Sequence, residues 1–379
     1  MKFIKFPSLN NVSSAMSVNR VENAGLTAPN VQWMVTEKIH GANFGIYSDG
    51  VQIKSAKRTG FVEDGENFFD SRRVVEDHSP IIKNLAKTIL ESLRSAVRVS
   101  INKDIVGSPY AIVYGELFGG SIQKNMPYQE KQDFCIFDFV IVLDDVNKDI
   151  VEEMFETGVI SGINHVEDKL ILAPSNKLFM FEDMKRHGLL TAPLLKVGTF
   201  AECMAVSNDF ESVFTDNARV NNLQLSEEFR NLRCKSEGLV IEPVVGLYIS
   251  QQRVYLKNRS VKFEEKKSEP KKNVTQMQLD TLSPKAIFVL EHIEDRICEN
   301  RYNSVVSKIG EVSIKDFNMV SGLLLQDALE DFEKDELYDM DTDTVGKTSV
   351  YLDKAEYKAV SKIALFSIGN LIRPLLLVK

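Results

Sequence analysis

The chain has 379 residues, 44% of them apolar and 26% charged, the composition of an ordinary globular protein with length for two domains or for one large domain with an appendage. Its four cysteines, Cys135, Cys203, Cys234 and Cys298, include no CxxC pair, which argues against a zinc site or a disulfide framework and for a reducing, cytoplasmic setting. No apolar stretch of signal-peptide length follows Lys2 and Lys5, and the run from Leu365 to Val378 is short and broken by Arg373-Pro374, so no membrane segment is expected.

The net charge of -8 argues against a polyanionic partner only until it is located. Asp327, Glu330, Asp331, Glu333, Asp335, Glu336, Asp339, Asp341 and Asp343 face a single base, Lys334, and that segment carries the whole excess. The remainder is balanced. It includes a basic run of Arg253, Lys257, Arg259, Lys262, Lys266, Lys267, Lys271 and Lys272, broken only by Glu264, Glu265 and Glu269, which is a candidate nucleic-acid footprint.

In chain order, Met1 to Asn30 is too short to be a domain. Val31 to Thr36 and Ala42 to Tyr47 read as strands, and Asp49-Gly50 turns the second into Val51 to Lys57, a hairpin signal. Between the first two strands lies Glu37-Lys38-Ile39-His40-Gly41, a lone lysine beside a glycine at a bend on a sheet. Such a lysine is either a solvated loop residue or a nucleophile for a phosphorus or carbonyl centre once it loses its proton, which burial or cationic neighbours promote. The next strand ends at Ala56-Lys57-Arg58-Thr59-Gly60, where alternation lets only one of the two cations look into a site with Lys38. Pro80 to Ser100 has helical periodicity, with Ile81, Ile82, Leu85, Ile89, Leu93 and Val97 on one stripe.

Tyr110 to Leu117 reads as a buried strand carrying Glu116 and followed by Gly119-Gly120, and Asp133 to Leu143 as a second one with Phe137-Asp138 in its middle. A carboxylate in such a run needs a partner, and Phe137 alone would be simple core packing. Helices are expected over Asp149 to Ile163 and Glu182 to Leu189, while Ala192 to Arg233 is poorly patterned. Ser236 to Pro243 gives a strand entered through Glu237-Gly238, and Arg253 to Lys257 another, so acidic and basic strand ends come close in sequence, as a metal-assisted phosphate site would use them. Lys262 to Gln278 reads as a charged linker, and beyond Pro284 the pattern turns helical over Ala286 to Arg301, Ser313 to Phe332 and Leu352 to Ile372.

Taken in order, these stretches resemble the covalent nucleotidyltransferases, and within them the phage-type RNA ligase 2 family with its relatives, the trypanosome RNA-editing ligases. Glu37-Lys38-Ile39-His40-Gly41 with Asn43 and Phe44 is similar to the nucleotidyl-lysine motif of that family. Ala56 to Gly60, Glu116, Phe137-Asp138, Glu237-Gly238 and Lys257 resemble its later blocks, and Asn300 to Gly310 with Lys315-Asp316-Phe317 and Gly322 to Asp327 is similar to its helical domain. The resemblance implies an α/β (α+β), ATP-grasp-like nucleotidyltransferase domain with antiparallel sheets over residues 1–262, a linker over 263–280, and an all-α RNA-engaging domain over 281–379.

It implies an ATP-dependent RNA ligase that uses magnesium, with manganese as a substitute, and seals nicks between a 3′-hydroxyl and a 5′-phosphate in duplex RNA or an RNA-containing duplex. Lys38 would carry AMP as a phosphoramidate. Glu37, Ile39, Asn43, Arg58, Glu116, Phe137, Lys257 and Arg259 would hold the nucleotide, with Phe137 stacked on adenine, Glu116 on a ribose hydroxyl, and Arg58 and Asn43 on phosphate and ribose. Glu237 would help to hold the metal, and His40, Arg301 and Asp327 would engage RNA. For Arg301 and Asp327 an ion pair inside the domain is the competing reading.

Two positions depart from the family pattern. Arg259 stands where lysine is usual and keeps the charge, whereas Glu242 stands where a basic residue is usual and would repel phosphate. A DNA ligase or capping enzyme would follow the catalytic domain with an OB-fold rather than helices. A catalytically silent RNA-binding protein would not need Lys38, Glu116, Glu237 and Lys257 together.

Overall fold

The computed structural model describes every residue except 124, 125, 127, 158, 159, 161, 216–233, 265–281, 340, 341, 343, 378 and 379. In chain order its strands are β1 (Asn10–Asn11), β2 (Trp33–Glu37), β3 (Ala42–Ser48), β4 (Ile53–Lys57), β5 (Gly60–Phe61), β6 (Tyr110–Phe118), β7 (Asp133–Asp144), β8 (Ile163–Val166), β9 (Lys169–Leu172), β10 (Leu190–Thr191), β11 (Leu194–Gly198), β12 (Gly238–Pro243), β13 (Tyr248–Ile249), β14 (Gln252–Arg253), β15 (Leu256–Arg259), β16 (Tyr338–Asp339) and β17 (Thr344–Val345). Its α-helices are α1 (Ala15–Asn23), α2 (Ser71–Ile101), α3 (Lys148–Glu156), α4 (Lys177–Arg186), α5 (Phe200–Met204), α6 (Pro284–Asp295), α7 (Glu299–Ile309), α8 (Phe317–Glu336), α9 (Thr348–Tyr351) and α10 (Lys354–Leu377). The chain divides into two compact units, Met1–Asn10 with Val21–Asn258 and Asn11–Arg20 with Arg259–Lys379.

The first unit is built on two sheets. The smaller runs β1, β15, β12, β2, β11, and the larger runs β5, β4, β3, β6, β7, β9, β8, with β10 added parallel to β7. Period-2 alternation sorts the larger sheet into two faces. Phe44, Ile46, Ala111, Val113, Phe134 and Ile136 pack against Val74, Ile82, Leu85 and Ala86 of α2. The opposite face carries Tyr47, Tyr110, Ile112, Tyr114, Val140 and Val142, which pack with Val240 of the smaller sheet and with Tyr255, just before β15. That second face is where the functional candidates gather.

Several expected elements shift, each for a local reason. The long helix begins at Ser71 and runs through Pro80, because the Glu76 carbonyl that Pro80 cannot serve accepts from the Ser79 hydroxyl at 3.3 Å. The helix expected over Asp149 to Ile163 stops at Glu156, and Ile163 opens the hairpin β8–β9, whose turn holds Glu167 at φ 54. The helix expected from Glu182 begins earlier, at Lys177, capped by the Asn176 side chain. Arg253 leaves the basic run: it lies in the short hairpin β13–β14 and is 3% exposed. Most of the expected linker lies outside the described residues.

The second unit has its core among α6, α7, α8 and α10, formed by Val289, Ile293, Val305, Leu324, Phe332, Ala364 and Ile368 among others. One expected helix is two, α6 and α7, because Arg296 and Ile297 turn inward between them. The unit is not purely helical, since β16 and β17 pair as a small hairpin. By length and composition α10 could cross a membrane, yet Val360, Ala364, Ile368, Ile372 and Leu376, spaced by four, bury one stripe of it in this core.

Four acids of the acidic segment are explained by this packing, while Asp341 and Asp343 lie outside the described residues. Asp327, Asp331 and Asp335 recur every fourth residue along one side of α8. Asp327 pairs with Arg301 and Lys308, Asp331 takes Arg301 Nη2 at 2.7 Å, and Asp335 takes Arg296 Nη2 at 2.7 Å. Glu333 accepts from Lys347 Nζ at 2.9 Å and from the Thr348 N–H at 2.8 Å. Arg301 is 0% exposed, so the ion pair inside the unit is the arrangement found for Arg301 and Asp327. Arg301→Ala takes its cation from Asp331 and leaves Asp327 with Lys308 alone. Breaking a fully buried pair costs about 3–5 kcal/mol, and since these acids reach solvent the expected loss of stability is about 2–3 kcal/mol, read by thermal or urea unfolding.

Candidate active site

Lys38 follows β2 directly, at the bend before β3. Its N–H donates to the Gly238 carbonyl at 2.9 Å, and its Nζ donates to Glu237 Oε2 at 2.8 Å. His40 Nδ1 lies 3.0 Å from the same oxygen, and the His40 N–H donates to the Tyr128 hydroxyl at 3.1 Å. One carboxylate oxygen therefore gathers the lysine and the histidine of the motif. Two glycines allow this approach. A Cβ on Gly41 would lie 2.1 Å from the Leu117 carbonyl oxygen, and Gly238 holds φ at +143° right after Glu237.

The wall opposite belongs to β3 and β6, where Asn43 pairs directly with Glu116. Burial pushes the Glu116 carboxyl up to about 8, with the Glu237 charge adding to the rise and Lys38 and Arg58 opposing it. At neutral pH this carboxyl is largely protonated and can donate a hydrogen bond as well as accept one. Of the two adjacent cations, Lys57 lies opposite Phe44 and pairs with Glu66, whereas Arg58 is the one that acts on Glu116. Phe137 sits where the β6–β7 register shifts, between the pairs Gly115–Ile136 and Tyr114–Asp138. That bulge leaves Phe137 without a cross-strand partner and turns it and Asp138 to the same face, towards Tyr114 and Tyr255.

Below this wall lies a buried charge network that joins the sheets. Lys177 Nζ donates to both oxygens of Glu242 at 2.7 Å and lies 3.4 Å from Asp138 Oδ1. Arg253 Nη2 is 3.5 Å from that same Asp138 oxygen, and the Tyr255 hydroxyl donates to Asp138 Oδ2. Burial alone would raise Asp138, but Lys177, Arg253 and Tyr255 outweigh it and hold the carboxyl below its usual range. Burial pushes Glu242 up, against the pull of Lys177. The departure at Glu242 is thus compensated from another element: the cation stands at the first turn of α4. Lys177 and Tyr128 were not singled out by sequence, since neither lies in a recognisable block.

The remaining candidates are placed as follows. Glu37 is 1% exposed and accepts the Phe214 N–H at 2.8 Å, in the wall behind the lysine rather than beside Nζ, and burial raises its carboxyl. Ile39 is buried. Lys257 and Arg259 lie on β15, two and four positions past Tyr255 and so on the face that Tyr255, just before the strand, turns to the larger sheet. Among the described residues no three His, Cys, Asp or Glu side chains form a cage for a metal. A magnesium-type ion needs none, because it is held by one or two carboxylates together with phosphate oxygens and water, and the Glu237 carboxylate fits that donor set.

Two antiparallel sheets enclosing a motif lysine, followed by a helical region, make a nucleotidyltransferase-like architecture. The family model for RNA ligase matches residues 31–279, and that for the T4 RNA ligase 2 C-terminal domain matches residues 281–363. The chain belongs to the RNA ligase family. It is 22% identical over 375 residues to the mitochondrial RNA-editing ligase 2 of Trypanosoma brucei brucei, covering 88% of this chain and 83% of the relative. With RNA-editing ligase 1 of the same organism it shares 25% over 374 residues, 86% of this chain and 74% of the relative. Among solved structures it is similar to a Naegleria gruberi RNA ligase mutant with ATP and Mn, at 17% identity and a TM-score of 0.39, and the match spans 69% of this chain and 58% of that one.

Two outcomes follow from the geometry. Lys177→Met leaves two buried carboxylates with one fewer cation and is expected to cost about 3–5 kcal/mol in urea unfolding. Exchanging the pair, Lys177→Glu with Glu242→Lys, should recover most of that loss, and a double variant no better than the sum of its singles would show that the two do not act as a unit. For Glu116 the folded value of about 8 exceeds the ordinary 4.5, so between those values the folded protein keeps a proton that the unfolded chain has lost, and stability falls as pH rises through the window. Glu116→Gln should flatten that fall between about pH 5 and 8 in unfolding series, and leave the two proteins alike at low pH.

Proposed function

We propose that the protein uses ATP and magnesium to seal breaks between a 3′-hydroxyl and a 5′-phosphate in duplex RNA, by way of a lysyl-AMP intermediate. The observation that carries this reading is the Lys38 amine held 2.8 Å from Glu237, beside His40 and across from the Asn43–Glu116 pair. The carboxylate at that distance orients the amine, and the cations Lys257 and Arg259, as like charges, promote loss of its proton to water, which leaves a lone pair to attack the α-phosphorus of ATP. The new P–N bond forms as the bond to pyrophosphate breaks. A divalent ion at Glu237 supplies neutralisation of the phosphate charge.

In this reading Phe137 supports the adenine ring, and Lys257 and Arg259 offset the negative charge of the phosphates. AMP then passes to the RNA 5′-phosphate, freeing Lys38, and attack by the 3′-hydroxyl forms the phosphodiester and releases AMP. Nucleotide loading is assigned to residues 1–262 and RNA engagement to residues 281–379. With Arg301 buried, the exposed surface of the helical unit would meet the RNA, and Arg301 and Asp327 would hold the helices that present it. A reducing, cytoplasmic setting is proposed, in which Cys135, Cys203 and Cys234 stay as buried thiols.

Incubation with α-labelled ATP and magnesium should yield a labelled protein band on a denaturing gel. Lys38→Ala should abolish it with the fold intact, and Lys38→Arg should fail equally because a guanidinium stays protonated and is a poor nucleophile. A full-strength adduct in either variant would place the nucleophile elsewhere. Sealing rates on all-RNA, all-DNA and mixed nicked duplexes test the substrate class, and equal rates on all of them would overturn the RNA assignment.

A further inference from the structure

We infer that the N-terminal arm, residues 1–9, is a positioning element of the nucleotide site, with Phe6 setting the ring of Phe137 and Ser8 setting the guanidinium of Arg58. This rests on the reading above, in which Phe137 stacks on adenine and Arg58 handles phosphate or ribose. The arm has no helix or strand of its own, yet its register on the inner face of the larger sheet is fixed at successive points. The Lys2 N–H donates to the Tyr110 hydroxyl at 3.3 Å, and that hydroxyl donates back to the Lys2 carbonyl at 3.0 Å. The Ile4 N–H donates to the Tyr47 hydroxyl at 3.2 Å, and the hydroxyls of Tyr47 and Tyr114 both donate to the Ile4 carbonyl at 2.8 Å. Lys2 Nζ is held by Asp168 at 2.8 Å.

With the register set, Phe6 falls among Tyr114, Phe137 and Tyr255, at ring separations of 4.9, 4.9 and 5.4 Å. Phe137 needs such a support. It occupies the bulge of β7, where no cross-strand partner fixes it, and it is only half-buried. Phe6 meets it edge-to-face at 61°, so at least one face of the Phe137 ring is not covered by Phe6. Two residues on, the exposed Ser8 hydroxyl accepts from Arg58 Nη2 at 3.0 Å. The chain then enters β1, where the Asn10 N–H donates to the Tyr255 carbonyl at 3.2 Å, beside the strand that carries Lys257 and Arg259. One short segment thus reaches the aromatic, the arginine and the basic strand that the nucleotide reading requires.

The test is the ATP dependence of lysyl-AMP formation in the full-length protein. Phe6→Ala is expected to raise KM for ATP about three- to tenfold while the maximal rate stays within about twofold, the scale of one lost aromatic contact. Phe6→Leu, which refills most of the volume without a ring edge, should raise KM about two- to threefold. Added to Phe137→Ala, Phe6→Ala should change KM no further, because the ring it sets is gone. Ser8→Ala has no packing to lose and should raise KM about twofold, with no further effect on an Arg58→Ala background. If Phe137→Ala raises KM and a folded Phe6→Ala does not, the role of the arm is overturned and the adenine reading stands. If Phe137→Ala leaves KM unchanged, the adenine reading itself fails. Should Phe6→Ala not fold, unchanged KM in both Phe6→Leu and Ser8→Ala overturns the inference.

Discussion

The buried network of Asp138, Lys177, Glu242 and Arg253 is the constraint on which the active-site architecture depends, because it ties strand β7 of one sheet to strand β12 of the other through side chains alone. Two carboxylates and two cations balance formally, and each is almost wholly removed from water. Such a network adds less to stability than its contacts suggest, since desolvation offsets most of the attraction, but losing any one member leaves an uncompensated charge inside. Its effect is to permit few arrangements of the two sheets. Glu237 directly precedes β12, and β7 carries Phe137, so the same constraint fixes the two strands from which the carboxylate and the aromatic are presented.

Strand geometry does the rest. Alternation decides which of two neighbouring residues meets the site, as when Lys57 pairs with Glu66 on the α2 side and Arg58 is left to act on Glu116. At Phe137 alternation fails, because one extra residue in β7 turns two successive side chains to the same face. Asp138 then goes into the network and Phe137 remains at the edge of the cleft. An aromatic held by a bulge is set by what packs behind it rather than by its own ladder, and in this chain that packing comes from the N-terminal arm.

The candidate site was legible wherever chemistry and strand ends coincide in the sequence. Lys38 beside Gly41, Glu116 near the end of β6 and Glu237 before Gly238 are polar residues where apolar runs stop, and each lies in or beside the cleft. The partners of those residues were not legible. Lys177 and Glu242 are 65 positions apart and share no pattern, so nothing in the sequence marks one as the counter-ion of the other. Tyr128 reaches the lysine loop through its hydroxyl across 88 positions, and the arm was set aside for its brevity although its tyrosine anchors lie on β3 and β6. Helix bounds moved where a side chain took over a backbone task, as Ser79 does ahead of Pro80.

Charge is the clearest case in which a sum misleads. The acids from Asp327 onward account for the net charge of the chain, and as a sequence they look like a repulsive surface facing any nucleic acid. In the fold, Asp327, Asp331, Asp335 and Glu333 are matched within the unit by Arg301, Lys308, Arg296 and Lys347. A carboxylate held against a guanidinium projects far less field than a free one, because the pair is seen from a distance as a dipole. The excess therefore belongs to helix packing for these four acids, and a negative total does not exclude an RNA partner for this unit. The same reasoning runs the other way for Arg253, which counts as a cation in the basic run but spends its charge on Asp138 inside the first unit.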